Sequence, residues 1–195
     1  YSLEDAFARK NAEFEDGVGR LLGRKDVPKE LRSYLKLVRD LNESGRLRLY
    51  PGSPCCAAPL LREDDRMRLF ELHPADHRLL QKTFDEAGSK VMVLEQDGFT
   101  GINAFLPPPT RRALVLIDPP YELKTDYRTV VTALKECLRR FATGTYVVWY
   151  PKLHSMQSRE LPDKLKRLPI TSWLHVSLDV RKPSEDGFGM HGSGL

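Results

Sequence analysis

Three acidic residues follow apolar segments of strand length in this sequence: Glu71, Asp97 and Asp118. In a parallel α/β sheet, ligands bind beyond the carboxyl ends of the strands. A carboxylate there can accept hydrogen bonds from both hydroxyls of a ribose, and one after the next strand can accept from an adenine amino group. A single acid at such a place more often begins a turn or caps a helix. Three in succession favour a site for a nucleoside-containing cofactor.

The most specific motif is Asp118-Pro119-Pro120-Tyr121, directly after an apolar run. Each proline ring locks φ and restricts the residue before it, so the turn is rigid. It offers a carboxylate, a backbone carbonyl and an aromatic ring. This set suits a planar base with an exocyclic amine, since the amine donates two hydrogen bonds and the base stacks on the ring. We therefore predict that Asp118, Pro119 and Tyr121 contact a substrate base.

Hydrophobic periodicity predicts the elements that position these residues. Apolar runs at 67–72, 91–94, 113–117 and 146–150 alternate with amphipathic helical patterns at 75–87, 126–141 and 155–167. A further strand, with one face more polar than the other, is expected at 174–180. The 75–87 helix is expected to point Leu79 into the core. Strands that are apolar on both faces, separated by such helices, predict a doubly wound α/β sheet that is mainly parallel.

The first 48 residues predict a different, helical unit. Apolar residues recur there at helical spacing, and no strand-like run occurs before residue 46. We expect a helical subdomain at 1–48 and the α/β core at 49–195. The apolar face ends near Gly45 and comprises Leu31, Tyr34, Leu35, Val38 and Leu41.

Composition bounds the class of protein. Of 195 residues, 41% are hydrophobic and 30% are charged, as in ordinary globular proteins, and no apolar run approaches the ~20 residues of a membrane span. Three cysteines, two of them adjacent, give neither a disulfide framework nor a zinc spacing. We expect a cytoplasmic protein without metal or membrane contacts. The net charge of +4 permits a polyanionic partner.

The Asp118–Tyr121 segment resembles the catalytic motif of S-adenosylmethionine-dependent methyltransferases that act on adenine N6. With its context it resembles the bacterial large-subunit ribosomal RNA adenine-N6 methyltransferase J family, over essentially the whole chain. The motif lies in Leu116-Ile117-Asp118-Pro119-Pro120-Tyr121-Glu122, and the other matching segments are Tyr50-Pro51-Gly52-Ser53-Pro54, Glu71-Leu72-His73-Pro74, Asp97-Gly98-Phe99, Arg140-Phe141-Ala142-Thr143-Gly144 and Trp149-Tyr150-Pro151.

This resemblance implies a Rossmann-like class I methyltransferase with a small helical insertion. It implies transfer of a methyl group from S-adenosyl-L-methionine to N6 of an adenine in 23S ribosomal RNA, by a monomer and without metal. Asp118 would be catalytic, and Ser53, Glu71, Asp97 and Gly98 would bind the cofactor. From its position before Pro54, Ser53 could also cap a helix.

The family's glycine-rich cofactor loop and its N-terminal basic and histidine residues have no counterpart here, and its closing strand is expected beyond 192–195. We therefore interpret the chain as a fragment of the family pattern. Basic residues that could face RNA are Arg111, Arg112, Lys124, Arg128, Arg139, Arg140, Lys164, Lys166 and Arg167.

Two other functions fit the same residues. A DNA adenine-N6 methyltransferase would use the same motif on a different polymer. A non-catalytic RNA-binding module or inactive fragment would keep the fold without the reaction. A nucleotide-dependent dehydrogenase is disfavoured because no G-x-G-x-x-G opens a βα turn.

Overall fold

The computed structural model describes residues 2–4, 12, 14–180, 182 and 189–195. Its contacts divide the chain into two compact units. The first comprises Tyr1–Leu69 and Ala75–Leu94, and the second comprises Phe70–Pro74 and Glu95–Leu195. The boundary after residue 48 stays a prediction.

The first unit contains a small helical core. A short helical segment covers Glu15–Gly19 and Arg20–Leu22, and helix α1 spans Lys29–Asp40. On α1 the middle of the predicted apolar face is buried, at Leu35 and Val38, whereas its ends, Leu31 and Leu41, are exposed. The buried part of this face is thus shorter along the helix than the sequence pattern predicts. Helix α2 follows at Ser53–Ala57, continued by a 3₁₀ turn at Ala58–Leu60.

Strands β1 (Met67–Phe70) and β2 (Val91–Leu94) pair in a two-stranded sheet. Strand β1 ends two residues earlier than predicted, so Glu71 opens the following loop. The predicted 75–87 helix is two pieces: α3 at Pro74–Thr83 and a 3₁₀ segment at Asp85–Lys90. The expectation that Leu79 points inward is wrong, because α3 buries no residue and Leu79 is exposed.

In the second unit, α4 spans Gly98–Gly101 and continues as a 3₁₀ turn at Ile102–Ala104. Strands β3 (Leu114–Ile117) and β4 (Thr145–Val148) pair in parallel, with Ile117 opposite Val148. Helix α5 (Lys124–Arg140) makes the crossover between them. The predicted apolar face of α5 is confirmed as core, since Tyr127, Val130 and Leu134 are buried.

Strand β5 (Tyr150–Lys152) is followed by helix α6 (Met156–Lys166), as predicted for 155–167. Strands β6 (Ser177–Asp179) and β7 (Gly192–Gly194) form a three-stranded sheet with β5. In this sheet β7 lies between β5 and β6 and is antiparallel to both. The strand expected at 174–180 is therefore only three residues long. Its apolar face is not buried: Leu174, Val176, Leu178 and Val180 are all exposed.

The sequence did not predict β7, because glycine is depleted in strands. Here glycine is required by close approach of other groups. A Cβ on Gly194 would overlap the Tyr150 ring, and a Cβ on Gly192 would overlap the Leu178 carbonyl. The α/β class itself is confirmed by the parallel β3–α5–β4 unit. None of the helices in the described part of the chain is both long and apolar enough to cross a membrane.

Candidate active site

The turn Asp118–Tyr121 begins where β3 ends. Trp149 makes a backbone hydrogen bond at each end of this turn. The Trp149 N–H donates to the Ile117 carbonyl at 3.1 Å, which extends the β3–β4 pairing by one bond. The Trp149 carbonyl accepts from the Tyr121 hydroxyl at 2.7 Å. Trp149, which directly follows β4, is thus hydrogen-bonded to the residue just before the turn and to the last residue of the turn.

Tyr121 closes this turn in a conformation that few residues adopt. Its φ is +54°, in the left-handed region. The side chain is only 5% exposed, and its ring lies 4.8 Å from that of Tyr127 and 6.4 Å from that of Trp149, between centroids. Burial, with the charge of the nearby Asp118, raises the pKa of Tyr121, so its hydroxyl remains a donor. Stacking of Tyr121 on a substrate base stays a prediction; in this structure the ring is packed against Tyr127 and Trp149.

Asp118 differs from the other two predicted acids because its carboxylate accepts no hydrogen bond from any residue that the structure describes. The side chain reaches solvent. The surrounding protein nevertheless removes part of its hydration, which raises the pKa of Asp118 above its ordinary 3.8. Pro119, next to it, is half-buried and carries no N–H. The turn therefore presents a carboxylate whose oxygens remain available as acceptors.

Glu71 is engaged locally. It is half-buried, and its Oε1 accepts the backbone N–H of His73 at 2.8 Å. This bond fixes the carboxylate in the loop that follows β1. It is the turn role that an acid commonly has at such a place, and it leaves the second oxygen for other donors.

Asp97 caps α4. Its Oδ1 accepts the Phe99 N–H at 2.9 Å, and its backbone carbonyl accepts from the Thr100 hydroxyl at 3.1 Å. The capping role that the sequence offered as the alternative is therefore present for Asp97. A cofactor role for the same side chain stays a prediction.

Packing brings the loops after β1 and β2 together. Phe70, the last residue of β1, lies against both glycines of α4. A Cβ built on Gly98 would lie 3.1 Å from the Phe70 Cβ, and one on Gly101 would lie 2.6 Å from the Phe70 Cε1. Because Phe70 precedes Glu71 and Gly98 follows Asp97, the two acids begin from neighbouring points of the backbone. Sequence reasoning identified Gly98 but missed Phe70 and Gly101, and G-x-x-G after an acid was the available signal.

Ser53 belongs to the first unit, whereas Glu71, Asp97, Gly98 and Asp118 belong to the second. Its side chain is exposed. The N-cap of α2 is Gly52, and no side chain makes a capping hydrogen bond there. The capping alternative for Ser53 is therefore wrong, because the helix already includes this residue. Its predicted cofactor contact stays a prediction.

Among the described residues, no three or more His, Cys, Asp or Glu side chains lie together where they could hold a metal ion. Cys55 and Cys56 are half-buried, Cys137 is buried, and all three are free thiols. Burial raises the pKa of Cys137, which fits a packing residue rather than a nucleophile.

This chain is similar to known proteins over its whole length. The family model described as "Ribosomal RNA large subunit methyltransferase D, RlmJ" matches residues 1–195. The protein named Ribosomal RNA large subunit methyltransferase J of Escherichia coli K12 is 43% identical over 195 residues, which are 100% of this chain and 69% of that protein. Its namesake of Haemophilus influenzae is 44% identical over 196 residues, again 100% of this chain and 69% of that protein.

A crystal structure of a Legionella pneumophila protein superposes with a TM-score of 0.86 at 33% identity, covering 100% of this chain and 70% of that one. The predicted Rossmann-like α/β fold is confirmed by the family match and by this likeness. The family resemblance read from the sequence motifs is confirmed as well, and this chain belongs to the ribosomal RNA large subunit methyltransferase J family.

Proposed function

We propose that this protein transfers a methyl group from S-adenosyl-L-methionine to N6 of an adenine in 23S ribosomal RNA. The relatives named above are ribosomal RNA large subunit methyltransferases. The observation that carries the adenine assignment is Asp118, whose carboxylate at the end of β3 is not bonded to any described residue and stands next to the Pro119 carbonyl. In the cell we expect the protein to act as a cytoplasmic monomer.

The two acceptors address the main chemical difficulty. An adenine N6 is a poor nucleophile because its lone pair is delocalised into the ring. Hydrogen bonds from its two protons to Asp118 and to the Pro119 carbonyl favour a pyramidal nitrogen. The Asp118 carboxylate also stabilises the positive charge that grows on N6 as it attacks. Fixed acceptors of this kind contribute most when they match the transition state.

S-adenosyl-L-methionine supplies the electrophilic methyl group, and its sulfur departs as a neutral thioether when the new bond forms. The methylated nitrogen then releases its extra proton to water, so Asp118 need not be a strong base. The residues of this chain orient the base for attack and exclude other orientations of the reacting groups. Partial loss of hydration raises the pKa of Asp118 above 3.8, and a carboxylate with fewer bonds to water is a better acceptor for the adenine amine.

The residues after β1 and β2 fit a nucleoside. Glu71 keeps one oxygen for ribose hydroxyls while the other holds the loop. Asp97 and Gly98 would meet the adenine end, and Ser53 would make a further cofactor contact. The support for this assignment is the close packing of Phe70 on Gly98 and Gly101, which holds the backbone next to Glu71 close to the backbone next to Asp97.

A methyl-transfer assay tests the proposal. The protein is incubated with radiolabelled S-adenosyl-L-methionine and either protein-free 23S ribosomal RNA or duplex DNA, and the nucleosides are separated after digestion. We expect label in N6-methyladenosine from RNA alone. Label from DNA would favour the DNA methyltransferase, and cofactor binding without transfer to either polymer would favour a non-catalytic module.

A further inference from the structure

The Tyr121 hydroxyl and the Trp149 backbone form a clamp on the Asp118–Tyr121 turn. Trp149 lies between the end of β4 and the start of β5. Its N–H holds Ile117, just before the turn, and its carbonyl holds Tyr121, at the end of the turn. Both acceptors proposed for the substrate, Asp118 and Pro119, lie between these two fixed points.

We propose that Tyr121 is a positioning residue, whose hydrogen bond to the Trp149 carbonyl sets the placement of the Asp118 carboxylate and the Pro119 carbonyl. The inference rests on the proposed function, since it assumes that these two groups receive the adenine amine. In this proposal the Tyr121 hydroxyl has a function of its own, whereas stacking on a base would require only the ring.

The backbone of Tyr121 supports this role. A non-glycine residue at φ +54° is strained and persists only where its surroundings hold it. Two groups do so here. The ring is enclosed by Tyr127 and Trp149, and the hydroxyl is anchored at 2.7 Å. Removal of the anchor frees the end of the turn while the ring remains packed.

A small displacement of the turn matters because catalysis depends on alignment. Two acceptors must meet two protons of one nitrogen while that nitrogen faces the methyl group. A misplacement of about 1 Å can cost on the order of a hundredfold in rate. A hydrogen bond that restrains the turn therefore affects the rate of transfer more than it affects binding of the cofactor.

The variant Tyr121→Phe separates the two roles. It keeps the ring and removes only the hydroxyl. If the hydroxyl positions the turn, kcat for methyl transfer falls by about ten- to a hundredfold, while the dissociation constant for S-adenosyl-L-methionine stays within about twofold. If the ring instead stacks on the base, Tyr121→Phe keeps the wild-type kcat, and the proposal is overturned.

Tyr146→Phe is the matched control. The Tyr146 hydroxyl also donates to a backbone carbonyl at 2.7 Å, that of Phe141, but it does so near the start of β4. Each variant thus loses a tyrosine-to-carbonyl bond, and thermal midpoints measure that loss of stability. We expect kcat to fall in Tyr121→Phe alone. An equal fall in both variants would show a general loss of stability and overturn the proposal. Absence of transfer by the wild-type protein would instead reject the proposed function.

Discussion

Phe70 packs directly on Gly98, with its Cβ only 3.1 Å from the point where a side chain at residue 98 would begin. Phe70 is the last residue of β1, and Gly98 is the first residue of α4, which follows β2. Their contact is what brings the backbone before Glu71 close to the backbone after Asp97. The spacing of the proposed ribose and adenine acceptors therefore depends on a packing contact between an aromatic ring and glycine.

Gly101→Ala tests that contact. The added methyl group would overlap the end of the Gln96 side chain and would lie 2.6 Å from the Phe70 ring, so that side chain and either the ring or the helix must move. Overpacking of this kind costs about 1–3 kcal/mol in the free energy of unfolding. We expect weaker S-adenosyl-L-methionine binding by calorimetry together with a lower thermal midpoint. Gly23→Ala is the control, since a Cβ there meets nothing within 4 Å. Equal cofactor affinities and equal thermal midpoints in the two variants would contradict this role of the Phe70 contact.

Glu71→Ala should weaken S-adenosyl-L-methionine binding by roughly 2–3 kcal/mol, the scale of losing charge-assisted hydrogen bonds. The loss should appear in cofactor affinity before it appears in RNA affinity, because the carboxylate is assigned to the ribose. Titration calorimetry measures both. Glu63→Ala removes an exposed acid outside the proposed site and serves as the control. Unchanged cofactor affinity in Glu71→Ala would mean that Glu71 only holds the His73 turn.

Asp118 should make stability fall as pH rises. Loss of hydration raises its pKa in the folded protein above the ordinary 3.8, so the folded state binds the proton more tightly than the unfolded state does. Ionisation therefore costs stability above the folded-state pKa, and this cost disappears below 3.8. We expect Asp118→Asn to have a higher thermal midpoint than the wild type at neutral pH, with the difference vanishing in acid. A difference independent of pH would contradict this.

The basic residues near the catalytic turn should contribute to RNA binding through phosphates. Lys124 and Arg128 are exposed, share one side of α5, and form no ion pair within the described part of the chain. By contrast, Lys164 is paired with Glu160 at 2.8 Å. The double variant Lys124→Gln/Arg128→Gln should reduce the slope of log affinity against log salt by about 1.4–1.8, the value for two lost phosphate contacts.

Lys164→Gln is the control in that experiment, since it removes one positive charge from an existing ion pair, whereas the double variant removes two. We expect it to leave the salt slope within the error of the wild type. A slope that is unchanged in the double variant, or reduced equally in Lys164→Gln, would show that Lys124 and Arg128 do not contact the polymer.

The sequence predicted those parts of the fold in which periodicity and burial agree. Helix α5 was predicted because its apolar residues recur at helical spacing and face the core, and strand β2 because it is a continuous apolar run of strand length. The acids after the strands were found because residue type and position indicate chemistry together. Their engagement with His73 and Phe99 could be anticipated only as the general tendency of acids to begin turns.

Other features depend on contacts that no local pattern encodes. Strand β7 consists of small residues selected by the approach of Tyr150 and Leu178, so its composition resembles a loop. Trp149 holds the catalytic turn through its backbone N–H and carbonyl. Nearly every residue has both groups, so the residue type gives no signal of this role. The exposed apolar side chains of 174–180 show the opposite case, in which alternation predicts a buried face that the structure does not have.

The central claim is that Asp118 accepts from the adenine amine and not from the cofactor. The most direct measurement is single-turnover methyl transfer to 23S ribosomal RNA by Asp118→Ala, with cofactor affinity determined on the same protein. We predict a loss of about a hundred- to a thousandfold in rate, with S-adenosyl-L-methionine affinity retained within a few-fold. Near-normal transfer by Asp118→Ala would contradict the account.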